Sequence, residues 1–135
     1  MEITVSIHQA EHPIAIMQVN GEINASNYME FVNKAQELYN NPARHLIIDL
    51  SGVPSISSTG LVGIHKIALV YSGDPHMQVD KDDSRPDFTH NASARKFVKL
   101  LNPQPAVDEA LKNAGLKLFF KVYSDLEIAI QSFQV

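Results

Sequence analysis

The 135-residue sequence predicts an α/β fold, and three observations carry that expectation. Segments of period two alternate with segments of helical period in the order β-β-α-β-α-β-α-β-α, which calls for parallel strand pairs joined by helical crossovers. One segment, "RHLIIDL", is almost continuously apolar between the turn signals "NNPA" and "SGVP", as a covered central strand requires. Hydrophobic residues make up 44% of the chain, enough at this length for one domain spanning 1–135.

Each element has its own reason. "ITVSIHQ" places Ile3, Val5 and Ile7 on one face of a half-exposed strand, and "IAIMQVNG" follows "AEHP" closely enough to pair with it as an antiparallel hairpin. "NASNYMEFVNKAQELYN" spaces Tyr28, Phe31, Val32, Ala35, Leu38 and Tyr39 as a helix, with Asn27 and Glu30 in capping-box register. After the central strand, a helix runs from about Ser58 to Ser72 with Leu61, Ile64, Ala68 and Tyr71 inward. "ARKFVKLL" reads as a strand, with a short helix left open at that length. "PAVDEALKNAG" is a helix on Val107, Ala110, Leu111 and Ala114, stopped by Gly115. "LKLFFKVY" alternates as a strand, and "SDLEIAIQSF" opens with Ser124 and Glu127 in a capping box above Leu126, Ile130 and Phe133. Residues 73–94 hold five aspartates and two prolines without any period, which predicts a flexible insertion.

Composition narrows the function. A net charge of −4 argues against direct nucleic-acid binding, which needs a basic face. The chain has no cysteine, so disulfides, thiol catalysis and zinc–thiolate sites are excluded and a reducing, cytoplasmic setting is expected. The stretch "MEITVSIHQAEHPIAIMQV" does not read as a signal peptide, and no apolar run approaches the ~20 residues a membrane span needs, so no membrane insertion is expected.

The stretch "SISSTG" sets Ser57, Ser58 and Thr59 in a row before Gly60 and an apolar helical pattern. Local chemistry reads such hydroxyls first as a helix start, with Ser57 as the cap. The six histidines do not make a metal site. His8 and His12 share no face, and His76 and His90 flank "DKDD", which lacks the calcium-loop pattern. His65 lies seven residues from Ser58, about 10 Å along a helix, too far for a nucleophile–base pair. No catalysis and no cofactor are expected.

At "HLIIDLSGVPSISSTGLVGIHK" the sequence resembles the STAS family, named for sulfate transporters and anti-sigma factor antagonists. "VNGEIN" and "LNPQPAVDEALKNAGLKLFFKVYSDLEIAIQSF" extend the resemblance to nearly everything except 73–94. It implies a small mixed sheet with helices packed largely on one side. For stand-alone bacterial members it also implies a protein-binding role: the domain binds an anti-sigma factor that is a serine kinase, a sigma factor is released, the kinase phosphorylates a serine at the helix start, and a phosphatase resets the cycle. The matching serine here is Ser58, with Ser57 and Thr59 as competitors. Two positions depart from the family: Ser57 and Asn24 stand where aspartates are usual.

The partner surface implied by the resemblance comprises Asn24, Ser26, Ser58, Thr59, Gly60, Val62 and Lys66. Ser58, Val62 and Lys66 follow i, i+4, i+8, a stripe turned away from the core; Val62 reads equally as core packing. The alternative is a STAS subunit that is not phosphorylated and acts as scaffold or ligand sensor in a larger complex, such as a lipid-transport ATPase. A homodimer is left open.

Overall fold

The structure is a computed structural model that describes residues 1–9, 13–40, 44–72, 97–118 and 120–133. Five strands are present among these residues: β1 (Glu2–His8), β2 (Ile14–Asn20), β3 (His45–Gly52), β4 (Val98–Leu101) and β5 (Val122–Tyr123). Four α-helices alternate with them: α1 (Tyr28–Asn40), α2 (Ser58–Ser72), α3 (Pro105–Asn113) and α4 (Leu126–Gln131). The expected insertion at 73–94 lies outside the described residues.

The sheet order is β1-β2-β3-β4-β5, antiparallel between β1 and β2 and parallel thereafter. Each crossover therefore steps to the adjacent strand in the same direction. Because such crossovers are right-handed, α1, α2 and α3 must all fall on one face of the sheet. The burial pattern agrees. Ala15, Met17 and Val19 of β2, Leu46, Ile48 and Leu50 of β3, and Val98 and Leu100 of β4 share one core with Phe31 of α1, Ile64 and Ile67 of α2, and Val107 and Leu111 of α3. The alternate residues Ile14, Ile47 and Leu101 point the other way, where Ala129, Ile130 and Phe133 at the C-terminus cover them. Burying both faces of β3 explains its continuous apolar run. Full burial of a side chain such as Phe31 is worth about 1.5–3 kcal/mol by area.

Three local expectations give way. "LKLFFKVY" is not one strand: Leu116–Leu118 form a 3₁₀ turn, and only Val122–Tyr123 pair with β4. Gly115, at φ 78°, reverses the chain, and Leu116 and Phe120 are both buried four residues apart, across a turn rather than along a strand. The last helix is capped by Asp125, whose side chain accepts from Ile128 N at 3.1 Å, and not by Ser124. Leu126 there is 40% exposed rather than buried. At α1, Asn27 uses its side chain elsewhere, as the site shows.

Candidate functional site

The site is built where β2 and β3 end side by side. Gly21, with φ 107°, turns the chain out of β2, and its N–H donates to Gly52 O at 2.8 Å. The two connections then continue the strand pairing beyond the sheet. Ile23 N donates to Ser55 O at 3.3 Å, and Ser57 N donates to Ile23 O at 2.9 Å, around a parallel bridge between Ile23 and Ile56. Residues 22–27 are thereby held against the segment that starts α2.

That approach is close. A Cβ on Gly60 would lie 2.6 Å from Ile56 Cγ1, 2.8 Å from Ile23 O and 3.0 Å from Ile23 Cγ2. Gly60 is thus the residue that lets the first turn of α2 sit on Ile23. Ser57 O accepts the first intrahelical bond, from Leu61 N at 3.0 Å, and Ser57 Oγ accepts from Gly60 N at 3.1 Å, so the Ser57 side chain satisfies one of the amides that a helix start leaves unpaired.

Ser58, the first residue of α2, is exposed, whereas Thr59 is half-buried and Gly60 buried. One turn on, Val62 is 45% exposed, although Ile64 and Ile67 on the same helix are fully buried. Val62 therefore lies outside the core. Lys66 is half-buried, its Nζ 5.8 Å from the Tyr28 ring centre. The paired connections thus set the loop of Asn24 and Ser26 beside the start of α2, and Lys66, two turns on, lies near Tyr28 at the start of α1.

The group that sequence reasoning missed is Glu22. Its Oε2 accepts from Ser55 Oγ at 2.9 Å and its Oε1 from Asn24 Nδ2 at 2.9 Å. Asn24 Oδ1 accepts in turn from Ser26 N at 3.0 Å and Ser26 Oγ at 2.6 Å. Asn27 closes the ring, accepting from Asn24 N and donating to Glu22 O, both at 2.9 Å. Hydrogen bonds from Asn24 and then Ser55 hold the Glu22 carboxyl below the usual carboxylate range. The only sequence signal was the "GE" of "NGEIN", which says nothing about Ser55.

His65 is half-buried in α2, and burial pushes its pKa down, favouring the neutral imidazole. His8 sits at the end of β1, while His12, His76 and His90 lie outside the described residues. Among the described residues, no three His, Asp or Glu side chains cluster as a metal site. No helix among them is long and apolar enough to cross a membrane.

Residues 5–69, which contain both connections and the start of α2, match the family model of the STAS domain. The chain folds as a STAS domain. Solved structures with the same fold include a candidate anti-sigma factor antagonist from Thermotoga maritima, at 20% identity and TM-score 0.72 over 97% of this chain and 95% of that one. An anti-sigma factor antagonist from Mycobacterium paratuberculosis superposes at 18% identity and TM-score 0.67, covering 99% and 96% of the two chains. The antagonist SpoIIAA in its unphosphorylated form gives 13% identity and TM-score 0.58, covering 97% and 98%. No curated protein matches the chain by sequence. In this STAS fold the paired connections carry Ser57 and Asn24, and Glu22 is hydrogen-bonded across them to Ser55.

Proposed function

We propose that this STAS domain is a protein-interaction module of the anti-sigma factor antagonist type, cytoplasmic and without catalytic activity, switched off by phosphorylation at Ser58. The supporting observation is the division of labour at α2: Ser57 holds the cap hydrogen bond, while the Ser58 hydroxyl is exposed beside the exposed Val62. A phosphate on Ser58 adds about −1.5 to −2 charges. The helix dipole and free amides tolerate that charge, so the fold survives. An apposed protein surface does not: like charges and lost hydration cost several kcal/mol there, and each ~1.4 kcal/mol is tenfold in affinity. SpoIIAA, which shares the fold, has been solved in both unphosphorylated and phosphorylated forms. The partner in this reading is an anti-sigma factor that is also a serine kinase, with a phosphatase to reset the switch.

One observation favours a second reading. Neither Ser57 nor Asn24 offers a carboxylate, and the acid that is present, Glu22, is engaged on Ser55 and Asn24. A kinase that reads an acid beside its target serine finds none free in that pair of positions, which suits a non-phosphorylated scaffold subunit. Incubation with a bound kinase and ATP separates the two. The switch requires one added phosphate on Ser58, lost in Ser58→Ala, with release of the partner. Stable binding without phosphate transfer overturns the switch and leaves the scaffold.

A further inference from the structure

The free edge of β1 is self-complementary. Among the described residues, β1 borders the sheet and pairs with β2 alone, so its outer backbone groups form an open edge there. Proteins usually blunt such an edge with lysine, proline or a bulge. "EITVSIH" carries no lysine and no proline, and its pairing with β2 runs without a shift from Glu2 to His8. Ile7 on this strand is 43% exposed.

The order of side chains is what identifies the occupant. Ile3 and Val5 pack on the helix-side core, so Ile7 shares their face, and Glu2, Thr4, Ser6 and His8 share the other. Suppose a second β1 pairs antiparallel with the first about a two-fold axis at Val5. Directly opposed residues then lie on the same face. Glu2 meets His8 of the other copy at both ends, carboxylate against imidazole N–H. Thr4 meets Ser6, hydroxyl against hydroxyl. Ile3 meets the exposed Ile7 and Val5 meets its own copy, apolar against apolar. Every position finds a suitable partner, and all of it follows from one seven-residue strand. The open groove between β1 and α1, lined by Ile3, Glu30 and Lys34 among others, leaves room on the helix side for the incoming Ile7.

We infer that the β1 edge is the interface of a two-fold homodimer, in which two sheets join through antiparallel β1–β1 pairing into one continuous sheet. This is the closed, isologous arrangement expected of a patch that complements itself. The interface uses none of Asn24, Ser26, Ser58, Val62 or Lys66, so it stands or falls independently of the switch.

The test is sedimentation and light scattering of the full chain from low micromolar to millimolar concentration, with charge variants at the two ends of β1. The unaltered chain is expected to dimerise. His8→Glu sets carboxylate against carboxylate at two symmetric positions, and Glu2→Lys removes the acceptor at both; each should weaken the dimer about tenfold. The combined Glu2→Lys, His8→Glu variant restores opposite charges and should recover most of the loss. Hydrogen exchange of β1 amides should slow with concentration in the unaltered chain and in the combined variant, and only at about tenfold higher concentration in each single variant. A chain that stays monomeric to millimolar concentration overturns the inference. A dimer indifferent to the single variants, or not rescued by the combined one, overturns it equally, because the interface then lies elsewhere.

Discussion

The side chain of Ser55 donates to Glu22 Oε2 at 2.9 Å, joining residues 33 apart in the chain across the gap between two connections. With the Ile23 backbone bonds to Ser55 and Ser57, this contact makes the two connections one surface. Glu22 is fully exposed, so the bond contributes little to global stability; its effect is local order. Hydrogen bonds from Asn24 and then Ser55 hold its carboxyl pKa below the usual carboxylate range. A group whose folded pKa is depressed contributes above its unfolded value, and the contribution is lost as pH falls through the folded one. A carboxyl titration of Glu22 by NMR should therefore show a midpoint lower than that of an unpartnered, exposed glutamate of this chain, with the Asn24, Ser26 and Ser55 amides shifting together. Glu22→Gln should remove that coupled shift. A midpoint no lower than that of the unpartnered glutamate contradicts the clamp.

The adjacent serines should separate by experiment. Ser57→Ala removes the acceptor for Gly60 N and should cost about 1 kcal/mol in urea unfolding, while Ser57→Asp should keep most of the stability. Ser58→Ala, at an exposed position without a cap bond, should stay within about 0.5 kcal/mol of the unaltered chain. Equal losses at both positions would mean that the cap is shared and that Ser58 is not simply a free hydroxyl.

Much of the fold was legible because periodicity reports burial, and burial here is well ordered. The run through Ile47 and Ile48 reads as a two-faced strand because α1, α2 and α3 cover one face and α4 the other. Element type failed where two local structures share one pattern. From Leu116 onward, apolar alternation suits a strand as well as a turn with Leu116 and Phe120 inward, and Gly115 decided for the turn. Caps failed through competition between neighbours. Asp125 reached the Ile128 amide in place of Ser124, and Asn27 spent its side chain on Asn24 and Glu22 instead of a box with Glu30. In the site, the row of hydroxyls could be found on a single line of sequence. Glu22 could not, since only the parallel pairing of β2 with β3 brings it to Ser55.

Gly60 should be the least replaceable residue of the α2 start. Alanine usually gains about 1 kcal/mol over glycine within a helix. Here its Cβ would press on Ile23 O at 2.8 Å, which is backbone and cannot swing aside. Gly60→Ala is expected to destabilise the domain by about 1–3 kcal/mol, the usual cost of overpacking. The amide of Ser57, bonded to Ile23 O, should lose hydrogen-exchange protection at the same time. A Gly60→Ala variant as stable as the parent, or more so, would show that α2 does not need this close approach.

Val62 and Ile64 stand two residues apart on α2 and should behave oppositely. Ile64 is fully buried, so Ile64→Ala should cost about 2–5 kcal/mol of stability through the cavity it leaves. Val62 is 45% exposed, so Val62→Asp should leave unfolding within about 0.5 kcal/mol. If the stripe through Ser58 and Val62 meets a partner, the same aspartate carries an unpaired charge into a desolvated contact. Binding measured by calorimetry should then fall at least about tenfold, since burying an unpaired polar or charged group costs ~1–3 kcal/mol or more. Unchanged affinity in a chain that folds normally would move the binding surface off this face of α2. Lost affinity accompanied by lost stability would show instead that Val62 belongs to the core, against its exposure.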